Sequence, residues 1–218
     1  MEKFGIEINS KQRKFELIKN IPLDLIQRQL VFGTLLGDGC IAPHGRKNKS
    51  YRLLIGHCEA QKELVLWKKQ ILNDYVNVIK KNIDKRGNSI MYSFSTITHN
   101  DFKYFYDLFY ENGRKVIREE MVQYLTPLAL AVWIIDDGSR YQMKNIMRIA
   151  TDSFTKSENE LLQYFFKNNF DLQAEVRGYI RNNRQFHYLS FNVKNSILLS
   201  DIIRPYIINS MKYKIGER

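Results

Sequence analysis

The sequence predicts an α+β protein built from two similar halves, each carrying a basic sheet made largely of hairpins. Three observations predict it. The order helix, strand or strands, helix, hairpin, helix runs through the chain twice. An apolar helix ending in Asp-Gly opens each half, with Asp38 and Asp137 lying 99 residues apart. Lys115 and Lys214 repeat that 99-residue offset, and Phe94 and Phe191, each in the last strand of its half, stand 97 apart. Such a repeat reads as a pseudo-dimer within one chain. The expected bounds are a lead-in over 1–24, a first half over 25–118 and a second half over 119–218.

The elements follow in order. Residues 1–20 are polar, with one helical stretch near Lys11–Ile18. Asp24 followed by Gln27 has the spacing of a capping box, and the apolar run Leu25–Leu36 stops at Gly37-Asp38-Gly39. A basic loop leads to a strand over Tyr51–His57. Glu59–Tyr75 is an amphipathic helix with Leu64, Trp67, Ile71 and Leu72 on one face. Residues 76–83 and 89–97 form a hairpin around Asp84–Asn88, and Asn100 caps a helix running to about Glu111. Thr126 as N-cap and Pro127 at the first helical position open a second apolar helix, Leu128–Ile135, which stops at Asp136-Asp137-Gly138. Ile146–Ala150 is a strand and Lys156–Asn168 a helix. Glu175–Arg181 and Phe186–Val193 form a hairpin turning at Asn182-Asn183. There Leu189, Phe191 and Val193 alternate with Tyr188, Ser190 and Asn192, while Arg177, Tyr179 and Arg181 share a face. One side of that hairpin is therefore apolar and the other basic and aromatic. Asn195–Ile203 is the last helix, followed by a tail containing Tyr213-Lys214.

The chain has 218 residues with 34 Lys+Arg against 23 Asp+Glu, a net charge of +11. Its apolar content of 44% excludes disordered and low-complexity classes. No run approaches the ~20 apolar residues that cross a bilayer. Glu2, Glu7 and Glu16 argue against a signal or transit peptide. Two cysteines, Cys40 and Cys58, cannot make a disulfide framework and point to a reducing compartment. The positive charge is concentrated in residues 41–52, 80–92, 139–148 and 177–194, each beside a strand, and the rest of the chain is net negative. A shared basic surface of this kind suits a polyanion.

Each helix that ends in Asp-Gly is too apolar for the surface and is expected at a buried interface. If the two pack side by side about a pseudo-twofold axis, Asp38 and Asp137 meet. Adjacent carboxylates stay ionised together only beside a cation. Hard oxygen ligands suit Mg²⁺, which keeps several waters and bridges to phosphate, an arrangement fitted to phosphodiester cleavage. As purely structural residues both aspartates would be poorly placed, because a helix C-terminus already carries partial negative charge. Cys40, His44, His57 and Cys58 offer zinc-binding atoms, but the adjacent His57 and Cys58 point to opposite faces of a strand, so a zinc site is set aside. No Walker loop, dinucleotide fingerprint or Ser/His/Asp order is present, and Trp67 and Trp133 are expected in the core.

The runs Val31-Phe32-Gly33-Thr34-Leu35-Leu36-Gly37-Asp38-Gly39 and Leu130-Ala131-Val132-Trp133-Ile134-Ile135-Asp136-Asp137-Gly138 resemble the two signature motifs of a LAGLIDADG homing endonuclease of the monomeric, two-motif type. The resemblance covers roughly residues 25–215. It implies two αββαββα-like halves with saddle-shaped antiparallel sheets, packed through the motif helices and lying in the major groove of double-stranded DNA. It implies cleavage of both strands of a long pseudo-palindromic or asymmetric target. Asp38 and Asp137 would be catalytic metal ligands, with Gly37 and Asp136 beside them in the metal set and Mg²⁺ or Mn²⁺ as the ion. Lys115 and Lys214 would stabilise charge on the phosphate or polarise the attacking water. Leu36 stands where the pattern has its first acid while the second motif keeps Asp136, and Val132 is bulkier than the glycine expected for close helix contact.

Candidate DNA contacts are Arg46, Lys47, Lys49, Arg52, Lys80, Lys81, Lys85, Arg86, Arg140, Lys144, Arg148, Arg177, Tyr179, Arg181, Arg184 and His187. A second reading from the same resemblance is an intron RNA maturase, alone or in addition; retention of both acids favours the nuclease. The compartment would be a chloroplast or mitochondrion for an organelle-encoded chain, otherwise the cytoplasm of a bacterium or phage host.

Overall fold

The computed structural model describes residues 17–19, 21–45, 50–84, 89–141 and 145–217. Arg46, Lys47, Lys49, Lys85, Arg86 and Lys144 lie outside the described residues, as does most of the helix expected near Lys11–Ile18.

Helix α1 (Leu25–Leu36) begins with the expected capping box: the Gln27 N–H donates to the Asp24 carboxylate, and the Asp24 N–H donates to the Gln27 side chain. After the turn at Gly37-Asp38 the chain passes directly into β1 (Cys40–His44), where the sequence suggested a loop. This strand carries Pro43, which cannot donate to a ladder and is tolerated because β1 lies at a sheet edge. β2 (Ser50–Cys58), α2 (Lys62–Leu72), β3 (Lys80–Asp84) and β4 (Ser89–Ser95) complete a four-stranded antiparallel sheet in the order β1-β2-β4-β3. Helix α3 (Asn100–Phe109) is capped by His99, whose imidazole accepts from the Asp101 N–H; Asn100 is its first helical residue and not the cap. Two short strands, β5 (Tyr110–Glu111) and β6 (Arg114–Lys115), then pair around Asn112 and Gly113, both at positive φ as a tight hairpin turn requires.

The second half repeats this plan. Helix α4 (Pro127–Asp137) starts on Thr126, whose hydroxyl accepts from the Ala129 N–H. Strand β7 (Gly138–Tyr141), too short and polar to be read from sequence, follows it directly. β8 (Ile146–Ile149), α5 (Lys156–Phe170), β9 (Ala174–Arg181) and β10 (Arg184–Phe191) complete a sheet in the order β7-β8-β10-β9, the same as the first. Asn182 and Asn183, at φ 51° and 57°, make the predicted turn. Helix α6 (Val193–Ile203) starts two residues earlier than expected, capped by Asn192. The fold is the predicted α+β pair of antiparallel halves. Among the described residues no helix is long and apolar enough to cross a membrane.

One side of each sheet is buried. Leu53, Ile55 and Phe94 in the first, and Met147, Ile149, Leu189 and Phe191 in the second, point into a core that also takes Trp133. Trp67, expected there, is only partly buried. Helices α1 and α4 pack against each other through the centre. A Cβ built on Gly33 would collide with the Ala129 carbonyl oxygen and with the Val132 side chain, and one on Gly37 would lie 2.6 Å from the Asp136 Cβ. Residues 33 and 132, and 37 and 136, share the 99-residue offset of the two aspartates, so each pair touches its own repeat counterpart one helical turn along. In both pairs the first half supplies glycine and the second the larger side chain. Val132 therefore does not hold the helices apart. The register also corrects the motif comparison: Asp136 is the counterpart of Gly37, and the position of the pattern's first acid is apolar in both halves, Leu36 and Ile135, both buried.

Candidate functional site

The packing of α1 on α4 brings their C-terminal ends together, as the repeat predicted. Asp38 follows the last turn of α1 and keeps its side chain about half exposed. Asp137 ends α4 and is partly buried. Burial, then the neighbouring carboxylates of Asp38 and Asp136, push the Asp137 carboxyl up to about 7. The Asp38 carboxylate therefore opposes the ionisation of Asp137, a condition that a divalent cation relieves.

Lys115 and Lys214 reach the same place from opposite sides. Lys115, at the end of the β5–β6 hairpin, donates to the Gly37 carbonyl at 2.8 Å. Lys214, on the 3₁₀ turn Asn209–Ile215, donates to the Gly138 carbonyl at 2.7 Å and to the Asp136 carbonyl at 3.4 Å. Gly37 and Asp136 are repeat counterparts, so both halves make the same lysine-to-carbonyl contact. Neither lysine is a free surface charge. Burial pulls both ammonium groups down from the usual lysine range, and the aspartates of the pair push them back up.

A third cluster was not legible as a site. Lys68 on α2 donates to both carboxylate oxygens of Asp136 at 2.7 Å, and neither side chain touches solvent. Burial pushes the Asp136 carboxyl up, and the Lys68 ammonium offsets part of that. His57 on β2 lies between this pair and Asp38: its Nε2 is 3.5 Å from Lys68 Nζ and its Nδ1 is 3.8 Å from an Asp38 oxygen. Burial first, then the Lys68 ammonium, pulls the imidazole down to about 4, so it is neutral at pH 7. Its Nε2 also lies 3.7 Å from an Asp136 oxygen, so the ring bridges the Lys68–Asp136 pair and Asp38. The sequence signal for Lys68 is its place on the buried stripe of α2, four residues from Leu64 and from Leu72.

Asp38, His57 and Asp136 each bring one ligand atom within 4.8 Å of the others, among the described residues. The Asp136 carboxylate is already held by an ammonium. The oxygens left for a hard divalent cation are the carboxylates of Asp38 and Asp137 and the second lone pairs of the Gly37 and Asp136 carbonyls, a donor set that fits such an ion.

The sheets divide the remaining candidates. Arg52 and Lys80 line a concavity of ≈430 Å³ that reaches Asp38. Arg148 and Tyr179 line another of ≈330 Å³ on the second sheet. Lys81 lies on the opposite side of β3 from Lys80, over the Tyr92 ring and 3.9 Å from Glu59. Arg140 is turned away from the open face: it donates to Asn145, to Ser200 Oγ at 2.9 Å and to the Ile215 carbonyl at 2.7 Å, tying down the tail that carries Lys214. Arg177 is paired with Glu175 at 2.6 Å, Arg181 lies over Phe186, and Arg184 is exposed. His187 packs beside Gly178, on the face opposite Tyr188.

Comparison with known proteins gives a consistent set of relatives. The sequence profile of the LAGLIDADG DNA endonuclease family matches residues 28–199. The cytochrome b mRNA maturase bI2 of Saccharomyces cerevisiae is 29% identical over 99% of this chain; the chain spans 53%, about half, of that relative's length. The DNA endonuclease I-ChuI of Chlamydomonas applanata is 27% identical, covering 88% of this chain and 94% of its own. Among solved structures, the homing endonuclease I-WcaI bound to its DNA recognition sequence superposes with a TM-score of 0.81 at 27% identity, over 98% of this chain and 96% of that one.

Proposed function

Because the chain belongs to the LAGLIDADG DNA endonuclease family, we propose that it is a site-specific, metal-dependent homing endonuclease that hydrolyses both strands of a long DNA target. The observation that carries the reading is the meeting of Asp38 and Asp137 at the ends of two packed helices, where burial first and then the neighbouring carboxylates push the Asp137 carboxyl up to about 7. I-WcaI, similar over nearly the whole chain, is seen bound to its DNA recognition sequence, and I-ChuI is named a DNA endonuclease.

In this reading Asp38 and Asp137 hold the divalent cation, Mg²⁺ or Mn²⁺, helped by the carbonyls of Gly37 and Asp136. A bound cation supplies Lewis-acid charge at the scissile phosphate. Lys115 and Lys214, fixed by their carbonyl contacts, place an ammonium beside each end of the aspartate pair, where negative charge grows on the phosphate. Lys68 neutralises Asp136, and neutral His57 fills the space between that pair and Asp38. The two halves, 25–118 and 119–218, each bring a sheet to the DNA as a single-chain monomer. Arg52, Lys80, Arg148, Arg177, Tyr179, Arg181 and Arg184 are the contacts carried forward. Binding of the host intron RNA as a maturase is proposed as an additional role, since the bI2 maturase of S. cerevisiae is similar along 99% of this chain. The compartment follows the genome that carries the gene, an organelle for an organellar intron.

The test is a plasmid carrying the intronless insertion sequence, incubated with Mg²⁺ or EDTA. Linear product only with Mg²⁺, lost in Asp38→Asn and Asp137→Asn, supports the reading. Tight intron binding with no cleavage of that plasmid would replace it with the maturase alone.

A further inference from the structure

Among the described arginines, Arg181 and Arg184 stand exposed on the β9–β10 hairpin, and the other eight fall into two groups. Arg28, Arg114, Arg118, Arg140, Arg177 and Arg204 donate to acceptors within the protein. Arg52 and Arg148 are half-buried, yet neither makes a hydrogen bond or ion pair among the described residues, and the Nε of each is buried with no partner. They stand on corresponding strands, β2 and β8, second in each sheet, and both face the open side. A half-buried guanidinium whose donors are unused costs desolvation that a ligand must offset.

Arg148 is also preset. Its guanidinium lies over the rings of Tyr188, 5.2 Å away, and Tyr141, 5.8 Å away. Ring contacts use the faces of the guanidinium and leave its Nη edge free for a planar, two-acceptor partner. In the major groove that partner is guanine, whose O6 and N7 accept both bonds of one guanidinium. Resting on the endonuclease reading above, we infer that Arg52 and Arg148 each select one guanine, and that the two guanines lie at unequal distances from the centre of the target.

The inequality follows from strand register. Arg148 pairs with Ser139, two residues beyond Asp137. Arg52 pairs with Ala42, four residues beyond Asp38. At ~3.3 Å per strand residue, Arg52 sits about 6.6 Å farther from its aspartate than Arg148 does. That equals about two base-pair steps of DNA at ~3.4 Å each. The protein therefore reads an asymmetric target despite its repeat.

The experiment measures equilibrium binding with Ca²⁺ to a set of single-base-pair variants of the insertion sequence, for the intact chain and for Arg52→Met, Arg148→Met, Arg52→Lys and Arg148→Lys. The native chain should lose about tenfold or more in affinity at one G·C pair in each half, the outer one about two pairs farther from the centre. Each Met and each Lys variant should flatten the preference at its own pair alone, and the Lys variants should keep their affinity for random duplex. Thermal melts of all four variants check folding. A uniform loss of affinity with the base profile unchanged would make these arginines phosphate contacts and overturn the inference. Full preference in the Lys variants, or equal distances from the centre, would also overturn it. A native chain that binds selectively but never cuts would sink the cleavage reading and leave this one standing; one that binds no duplex sinks both.

Discussion

Lys68 donates to both carboxylate oxygens of Asp136 at 2.7 Å, joining a helix of the first half to the central helix of the second in a contact closed to water. Among the described residues nothing equivalent exists on the other side of the axis, where the counterpart of Asp136 is Gly37. The pair fills the space that glycine leaves and staples the halves at the point where the aspartates must align.

Removing one partner leaves a buried charge uncompensated. Lys68→Met is expected to cost about 3–5 kcal/mol of stability. The double variant Lys68→Met/Asp136→Leu should recover most of that loss, because an apolar pair of similar volume needs no counter-charge. Urea unfolding of the native chain, both single variants and the double variant gives the cycle. A double variant as unstable as the sum of the singles would mean that the contact is incidental.

The glycine at 37 makes a separate prediction. Gly37→Val would drive a branched side chain into the Asp136 Cβ, already 2.6 Å from a bare Cβ. The helices would have to separate, and overpacking of this kind costs about 1–3 kcal/mol. The same substitution at the half-buried Gly56 of strand β2 meets only Ser93 and the Tyr92 carbonyl at 3.3 Å or more, and should be milder. Paired thermal melts distinguish the two sites. Cleavage by Gly37→Val should fall more than stability alone predicts, since both aspartates move with their helices.

Much of this was legible in the sequence, and the remainder fails for identifiable reasons. The 99-residue offset was enough to place Asp38 against Asp137, and the caps at Asp24 and Thr126 fixed where both central helices begin. Strands β1 and β7 were missed because one carries a proline tolerated only at an edge and the other is four residues with a glycine and two polar positions. The Lys68–Asp136–His57 cluster closes across both halves, between residues up to 79 positions apart, and no local pattern encodes it. Arg140 shows the limit of counting charge: it sits in a basic window but spends its donors on Ser200 and the Ile215 carbonyl.

Metal binding should depend on pH through Asp137. Its carboxyl is raised to about 7 in the folded chain against an ordinary 3.8. An acid raised on folding contributes stability that is fully present below about 4 and lost as pH rises through about 7. The metal-free chain should therefore weaken from this group as pH climbs over that range. A divalent cation needs the ionised carboxylate, so its affinity should fall about tenfold per pH unit below 7 and level off above it. Calorimetric titration with Ca²⁺ in two buffers of different ionisation enthalpy should find close to one proton released per site at pH 6 and almost none at pH 8. Affinity that is constant from pH 5.5 to 8 would show that Asp137 does not hold the ion.

The tail that carries Lys214 is held at a distance. Arg140 grips the Ile215 carbonyl at 2.7 Å, and the Gly216 Cα lies against its guanidinium so closely that a Cβ there would sit 2.8 Å from Nε. Arg140→Ala frees this segment without touching the aspartates or the open face of either sheet. Lys214 would then lose its fixed place on the Gly138 carbonyl. Lys214→Met removes the ammonium outright, and loss of one preorganised donor at a developing charge typically costs about 10²–10³ in rate. Arg140→Ala should reproduce part of that loss in single-turnover cleavage while leaving DNA affinity unchanged. The double variant should be no slower than Lys214→Met alone, because both changes act on one group. If Arg140→Ala instead weakens DNA binding at constant cleavage rate, Arg140 contacts the duplex after all, and its contacts to Ser200 and Ile215 are not what it is for.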